Sequence, residues 1–356
     1  MLPHDKYNSL LINNKWYTIV DVTSNNTVVV DRNLPTNGPI TGWYCPSLIQ
    51  DRGVGNEIKG IGFLGARLVS DTKRVPIGYH VVTAQQSLTS EDKGIPTGKV
   101  SITNCAWDSF HVGLLFGAGL AGFEENVNNW YGRDWQNADE SYFENLYFRN
   151  IHTVFAARCR QSVDFLFNRI QISNLDNTVF WLDAGGKLQA NTIAIQGNRL
   201  NSRQRVLHLG KWVTGGRSGH DPILIQNVTF DGGNSTRNPQ LITTDWAGIT
   251  RTIRVEFNGG LINRATSNDN LPLVDIQSRC FLTLRNIAGI FANSIRLNYG
   301  NGPADKPIVV LDCCSLDTED VEDVIDEDYC PAGITVVFRN CTTSRGKMIT
   351  KNYLTF

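Results

Sequence analysis

The chain has 356 residues, 41% of them hydrophobic and 10% aromatic, with a formal net charge of −1. That length and apolar content can bury a large core, and the near-neutral balance carries no electrostatic footprint for nucleic acid. No apolar run approaches the roughly 18 residues of a membrane span, and Met1-Leu-Pro-His-Asp-Lys6 has no apolar signal core, so the expectation is a soluble protein without membrane insertion.

At the start, Lys15-Trp-Tyr-Thr-Ile-Val-Asp-Val-Thr, the pair Asn25-Asn26 and Thr27-Val-Val-Val-Asp read as a hairpin turning at the two asparagines. Residues 1–56 are therefore assigned to a small β module. A different organisation begins at Glu57-Ile-Lys-Gly-Ile-Gly-Phe-Leu-Gly-Ala66 and occupies 57–356, where an apolar strand, an Asn and a second short apolar strand recur. Tyr142-Phe-Glu-Asn145-Leu-Tyr-Phe and Ile223-Leu-Ile-Gln-Asn227-Val-Thr-Phe are examples. Marks at Asn145, Asn168, Asn191, Asn227, Asn258, Asn286, Asp312 and Asn340 lie 23 to 36 residues apart, and Asn104 fits upstream. A sandwich would place turns every 8–12 residues or so; this longer period is that of a solenoid.

The fold class read from this pattern is all-β, a right-handed single-stranded parallel β-helix. Each coil supplies two or three strands that pair with their counterparts about 4.7–4.9 Å above and below. The recurring Asn then forms an amide ladder at a bend that would otherwise leave polar groups unpaired. Cys105, Cys313 and Cys341 directly follow a mark, the position of a small buried residue, and the eight cysteines lack zinc or disulfide spacing. No cofactor or metal is called for. No closing helix or polar cap is visible after Asn352, so the expectation is a trimmed piece of a longer chain or an end covered by neighbours.

Two stretches leave the repeat. The insertion 122–140 joins Trp130, Tyr131 and Trp135 to five carboxylates that include Glu140, a composition suited to sugar rings with apolar faces and hydroxyl edges. The loop 317–328 has eight acids in twelve positions without the order of a calcium loop, and reads as solvated.

Aligning the coils places Trp181-Leu-Asp183 opposite Arg205-Val-Leu-His208-Leu-Gly-Lys211-Trp212, and then opposite Gln240-Leu-Ile-Thr-Thr-Asp245-Trp246. Asp183 and Asp245 then share one face two coils apart, about 9–10 Å, beside His208, Lys211, Trp212 and Trp246. Two carboxylates about 6.5–9.5 Å apart suit an inverting glycosidase, one protonating the leaving oxygen and the other activating water. Asp231 and Asp275 occupy nearby coils as reserve members.

With Asn at a fixed turn, a leading Ile58-Lys-Gly-Ile-Gly62, aromatic insertions and a preceding β module, the chain resembles the pectin-lyase-like β-helices of bacteriophage tailspikes and capsule depolymerases over about residues 57 to 352. The resemblance is architectural. It implies a homotrimer on a phage tail, attached to other tail proteins, that binds a bacterial surface polysaccharide and usually cleaves it. The Asn-Thr-Asp, Asp-Asp and Gly-His-Gly set of polygalacturonases is absent, with Gly219-His220-Asp221 only a partial echo, and so are the pectate lyase and alginate epimerase motifs.

Three functions are consistent with these features. The first is a hydrolase using Asp183 and Asp245, with Trp212, Trp246, Trp130 and Trp135 holding sugars. The second is a polysaccharide lyase with His208 or a Tyr as base and Lys211 or Arg158 stabilising the developing charge. The third is a rigid adhesin without catalysis.

Overall fold

The computed structural model describes residues 8–13, 15–34, 42–51, 56–67, 74–75, 77–81, 99–117, 120, 140–158, 164–184, 187–197, 203–210, 222–233, 235, 237–245, 252–264, 271–278, 280–297, 307–326, 328, 335–349 and 353–355. Among these the protein is almost wholly β, without an α-helix and with a short 3-10 turn at Glu322–Val324. An antiparallel sheet of four strands, Gly42–Cys45, Ser9–Ile12, Lys15–Ser24 and Thr27–Val30, contains the expected hairpin with its turn at Asn25-Asn26. The remaining strands, apart from the short pair Ala66–Arg67 and Arg74–Val75, belong to one large and mostly parallel sheet.

In that sheet each repeat pairs with the one before it. One column of paired residues runs Lys59, Thr103, Glu144, Asn168, Asn191, Gln226, Asn258, Arg285, Asp312 and Arg339. The residue after each of these, namely Gly60, Asn104, Asn145, Arg169, Thr192, Asn227, Gly259, Asn286, Cys313 and Asn340, has φ between 51° and 82°. A left-handed residue at one fixed register position is thus the invariant of the repeat. Asn and Gly reach that conformation most readily, which explains the asparagines. It also corrects the marks: Asn145, Asn227, Asn286 and Asn340 occupy the bend, whereas Asn168, Asn191, Asn258 and Asp312 stand one residue before it.

The amides still connect, by a staggered route. Asn145 Nδ2 donates to Asn104 Oδ1 at 3.0 Å, while Asn227 and Asn286 donate to Asn191 and Asn258 in the preceding repeat at 2.9 and 3.1 Å. A second bend carries its own run, with Asn150 donating to Asp108 and Asn174 to Asn150. Cys105 and Cys341 are buried just past the bend as expected, but Cys313 is the exposed bend residue and Cys314 fills the buried slot, its thiol donating to Leu284 O at 3.3 Å.

Inside the bend the apolar residues of successive repeats stack. Phe63, Trp107 and Phe148 lie ring on ring with centroids 5.0 and 4.8 Å apart, and Phe143 stacks on Phe167 at 4.3 Å. Each such ring removed from water contributes about 1.5–3 kcal/mol.

Two boundaries and one loop differ from what the sequence predicts. Parallel pairing begins at Ser47–Asp51, before Glu57, because Ser47 and Ile49 align with Ile77 and Tyr79. The last parallel strand, Thr335–Arg339, is partly closed by Tyr353–Thr355 returning antiparallel on it, so an edge cover is present where none was expected. The acidic loop is not wholly solvated, since Val321, Val324 and Ile325 are buried and Asp326 pairs with Arg296 at 2.8 Å.

Replacing Asn227 by Val, which lacks the amide and resists a left-handed backbone, is expected to lower unfolding stability by about 2–3 kcal/mol, and Asn227→Gly by only about 1 kcal/mol for the lost hydrogen bond. Urea unfolding midpoints check this; equal losses would show that the backbone conformation is not the constraint.

Candidate functional site

The strand that follows the second bend in each repeat carries the site. Its outward column runs His80, Leu115, Ala156, Trp181, His208, Thr243, Asp275 and Arg296. The N-terminal sheet packs against the upper part of this flank, with Leu11 and Trp16 in one apolar cluster with Leu115 and Ala156, and Trp181 at its border. Polar residues take over beyond that border.

Two residues after Trp181 comes Asp183, and the backbone bonds Gly210 N to Leu182 O at 2.8 Å and Asp245 N to Leu209 O at 2.9 Å continue the ladder there. Asp183, Gly210 and Asp245 therefore occupy one line across three repeats, the register expected from the sequence. Gly210 leaves room at the middle, because a Cβ at that position would displace the Asp183 carboxylate that lies over it. Asp183 is buried, whereas the Asp245 side chain is 45% exposed.

His208 lies between them in the neighbouring column and is buried. Its Nδ1 contacts Thr243 Oγ1 at 2.8 Å and Arg205 Nη1 at 3.2 Å. A guanidinium only donates, so Nδ1 is the acceptor and the proton resides on Nε2, which stands 3.6 Å from Asp245 Oδ1. Burial, reinforced by the Arg205 charge and opposed by Asp245, lowers the His208 pKa below its ordinary value of 6.5. His208 is thus a neutral ring aimed at a carboxylate. Trp181 packs edge-on against it with centroids 5.1 Å apart, and the Arg205 guanidinium lies 5.9 Å from the Trp181 ring centre.

One repeat further, Asp275 follows Thr243 in the same column. Its pKa is raised, chiefly by burial, although Arg296 and Arg203 pull the other way. Asp231 is elsewhere: it ends the strand Ile223–Asp231, is exposed, and accepts the Gly233 N–H at 3.0 Å.

Of the other residues singled out in the sequence, Glu140 is exposed and pairs with Lys99 at 2.8 Å, next to the start of the strand Tyr142–Arg158 rather than its far end. Arg158 ends that strand in backbone register with Ala184, next to Asp183; its side chain lies outside the described residues. Trp130, Trp135, Lys211, Trp212 and Trp246 also lie outside them, although Lys211 and Trp246 directly follow Gly210 and Asp245 in the chain. Arg205, Thr243 and Trp181 had no role in the sequence reading. The available signal was their register: Arg205 and His208 flank an apolar pair on one strand, opposite Gln240 and Thr243.

Comparison with protein-family models, with curated proteins and with solved structures gave no match.

A folded-state His208 pKa below the unfolded one means that unfolding takes up a proton, so this group's contribution is intact above about pH 6.5 and is lost as the pH falls beneath it. Asp275, shifted upward, acts in the opposite sense in the more acidic range. His208→Gln should therefore flatten the loss of stability between about pH 7 and pH 5. Urea midpoints across that range read the difference, and parallel slopes for both proteins would contradict it.

Proposed function

We propose that the chain winds as a right-handed parallel β-helix and hydrolyses a bacterial surface polysaccharide, capsule or O-antigen, with Asp183 and Asp245 as the acid–base pair. Parallel crossovers within one sheet are right-handed in nearly all proteins, and repeat-to-repeat pairing at a constant register is what such winding requires. The observation that carries the catalytic reading is the line Asp183, Gly210, Asp245: two carboxyls on one flank, two repeats apart, separated by a residue without a side chain.

Two strand spacings give about 9–10 Å, at the upper edge of the inverting range of about 6.5–9.5 Å. The two environments differ in the sense that acid–base division of labour needs. The enclosed Asp183 gives its proton to the glycosidic oxygen. The open Asp245 takes a proton from the attacking water, and His208, through its Nε2–H, is its positioning residue. With Nδ1 already accepting from Arg205, His208 is poorly placed to act as the base of a lyase. Trp246, which follows Asp245 in the chain, and Lys211 and Trp212, which follow Gly210, are assigned to sugar binding. The architectural likeness to phage tailspikes supports a homotrimer in a virion tail, held by other tail proteins and acting at the bacterial surface.

Asp183→Asn and Asp245→Asn should each lower the release of reducing ends from capsular or O-antigen polysaccharide by at least about a hundredfold without loss of polysaccharide binding. Wild-type turnover in either variant removes the pair from the mechanism, and new absorbance from unsaturated uronates in the wild type indicates a lyase.

A further inference from the structure

A second face of the stack has the chemistry of a binding site and lies on a different strand of each repeat. Just before the left-handed bend, outward residues of successive repeats line an open groove of about 170 Å³ between Tyr142 and Gln226. Leu166, Gln189 and Leu224 follow Tyr142 in one column, and Asn168, Asn191 and Gln226 form the next. Tyr142, Leu166 and Leu224 are half-buried, so apolar surface alternates with amides along the axis.

The amides are not equivalent. Asn168 donates to Glu144 at 3.2 Å, and Asn191 accepts from Asn227 at 2.9 Å. The side chains of Gln189 and Gln226, on adjacent repeats and diagonal to one another, make no hydrogen bond among the described residues. Each therefore offers a full carbonyl and NH₂ to a ligand. No charged side chain lines the groove. Charge begins where it ends, at Glu144 on one side and on the other at Glu256, which Arg285 bridges to Asp312 at 3.1 and 3.2 Å.

We propose that this groove binds a neutral saccharide, with Leu166, Leu224 and Tyr142 under the apolar ring faces and the Gln189 and Gln226 amides on ring hydroxyls. A ring edged with hydroxyls matches paired donors and acceptors beside apolar patches, and the uncharged lining leaves a uronate without a counter-ion. The inference does not depend on Asp183 and Asp245 being catalytic, because the groove lies on another strand of the repeat.

The test uses maltohexaose, cellohexaose and mannohexaose as neutral probes and hexagalacturonate as the anionic one, followed by titration calorimetry and by saturation-transfer NMR on the full chain. At least one neutral hexasaccharide should bind with a Kd of about a millimolar or tighter. Gln189→Glu and Gln226→Ala, both at solvent-accessible positions, should each weaken it about tenfold, or about 1.4 kcal/mol. Asp183→Asn should leave that affinity unchanged even where it abolishes turnover, and hexagalacturonate should not compete. The proposal is overturned if none of the neutral probes binds or if both glutamine variants keep wild-type affinity.

Discussion

The left-handed residue at one register position of every repeat is the constraint on which the rest depends. Between two extended segments it turns the chain without inverting which face points inward, so the strands on both sides bury their apolar residues in the same core. Gln226 and Asn227 both face outward at such a bend, with Ile225 and Val228 buried on either side. Because the bend recurs in register, each strand finds its partner one repeat away, and the column of inward side chains follows without further specification. The backbone strain of a non-glycine residue there is about 1–2 kcal/mol; amide bonds to the neighbouring repeat and the stacked rings of Phe63, Trp107 and Phe148 offset it.

That regularity gives the outward faces their character. On one face the columns near the bend stay neutral and rich in amides over several repeats. On another face the column passes from Leu115 and Ala156, covered by the N-terminal sheet, through Trp181 to His208, Thr243 and Asp275, with Asp245 on the neighbouring line. The same winding thus produces a covered segment and a polar segment in sequence. The polar segment holds features that stability alone does not favour: a buried imidazole facing a guanidinium, a carboxylate enclosed over Gly210, and a carboxyl held above its ordinary range by burial. Groups arranged against their own solvation in one place are the usual mark of a functional site.

Much of this was legible in the residues, for identifiable reasons. The strands around Asp183 and Asp245 have strong apolar patterns that fix their register to the residue, and a slip by one would have turned the carboxyls inward. The bend was legible where Asn occupies it and shifted by one where Asn168, Asn191, Asn258 or Asp312 precedes it. Arg169, Thr192 and Cys313 gave no warning of φ near 57°, 59° and 54°, because the conformation there is imposed by neighbouring repeats rather than by local preference. For the same reason the buried slot belongs to Cys314 and not to Cys313. Arg205 and Thr243 carry no pattern of their own because their importance lies in side-chain contacts with the His208 ring nitrogen, along one strand from Arg205 and across to the next from Thr243, which apolar spacing does not encode. The covering strand Tyr353–Thr355 is too short to stand out as a strand by pattern.

The measurement that bears most directly on the account is the distance between spin labels at Tyr147 and Leu261, two exposed positions in one column, introduced as a noncanonical amino acid so that the buried cysteines stay untouched. Their column passes through Gln171, Ala194 and Thr229, which makes four repeats. Pulsed electron resonance should then give a narrow distribution centred near 19 Å before the label arms are added, four spacings of about 4.8 Å. A label at Thr229 in place of Leu261 should shorten it by about one spacing. A broad distribution, or a separation that does not step with the repeat, would contradict the winding and with it the alignment of Asp183 and Asp245.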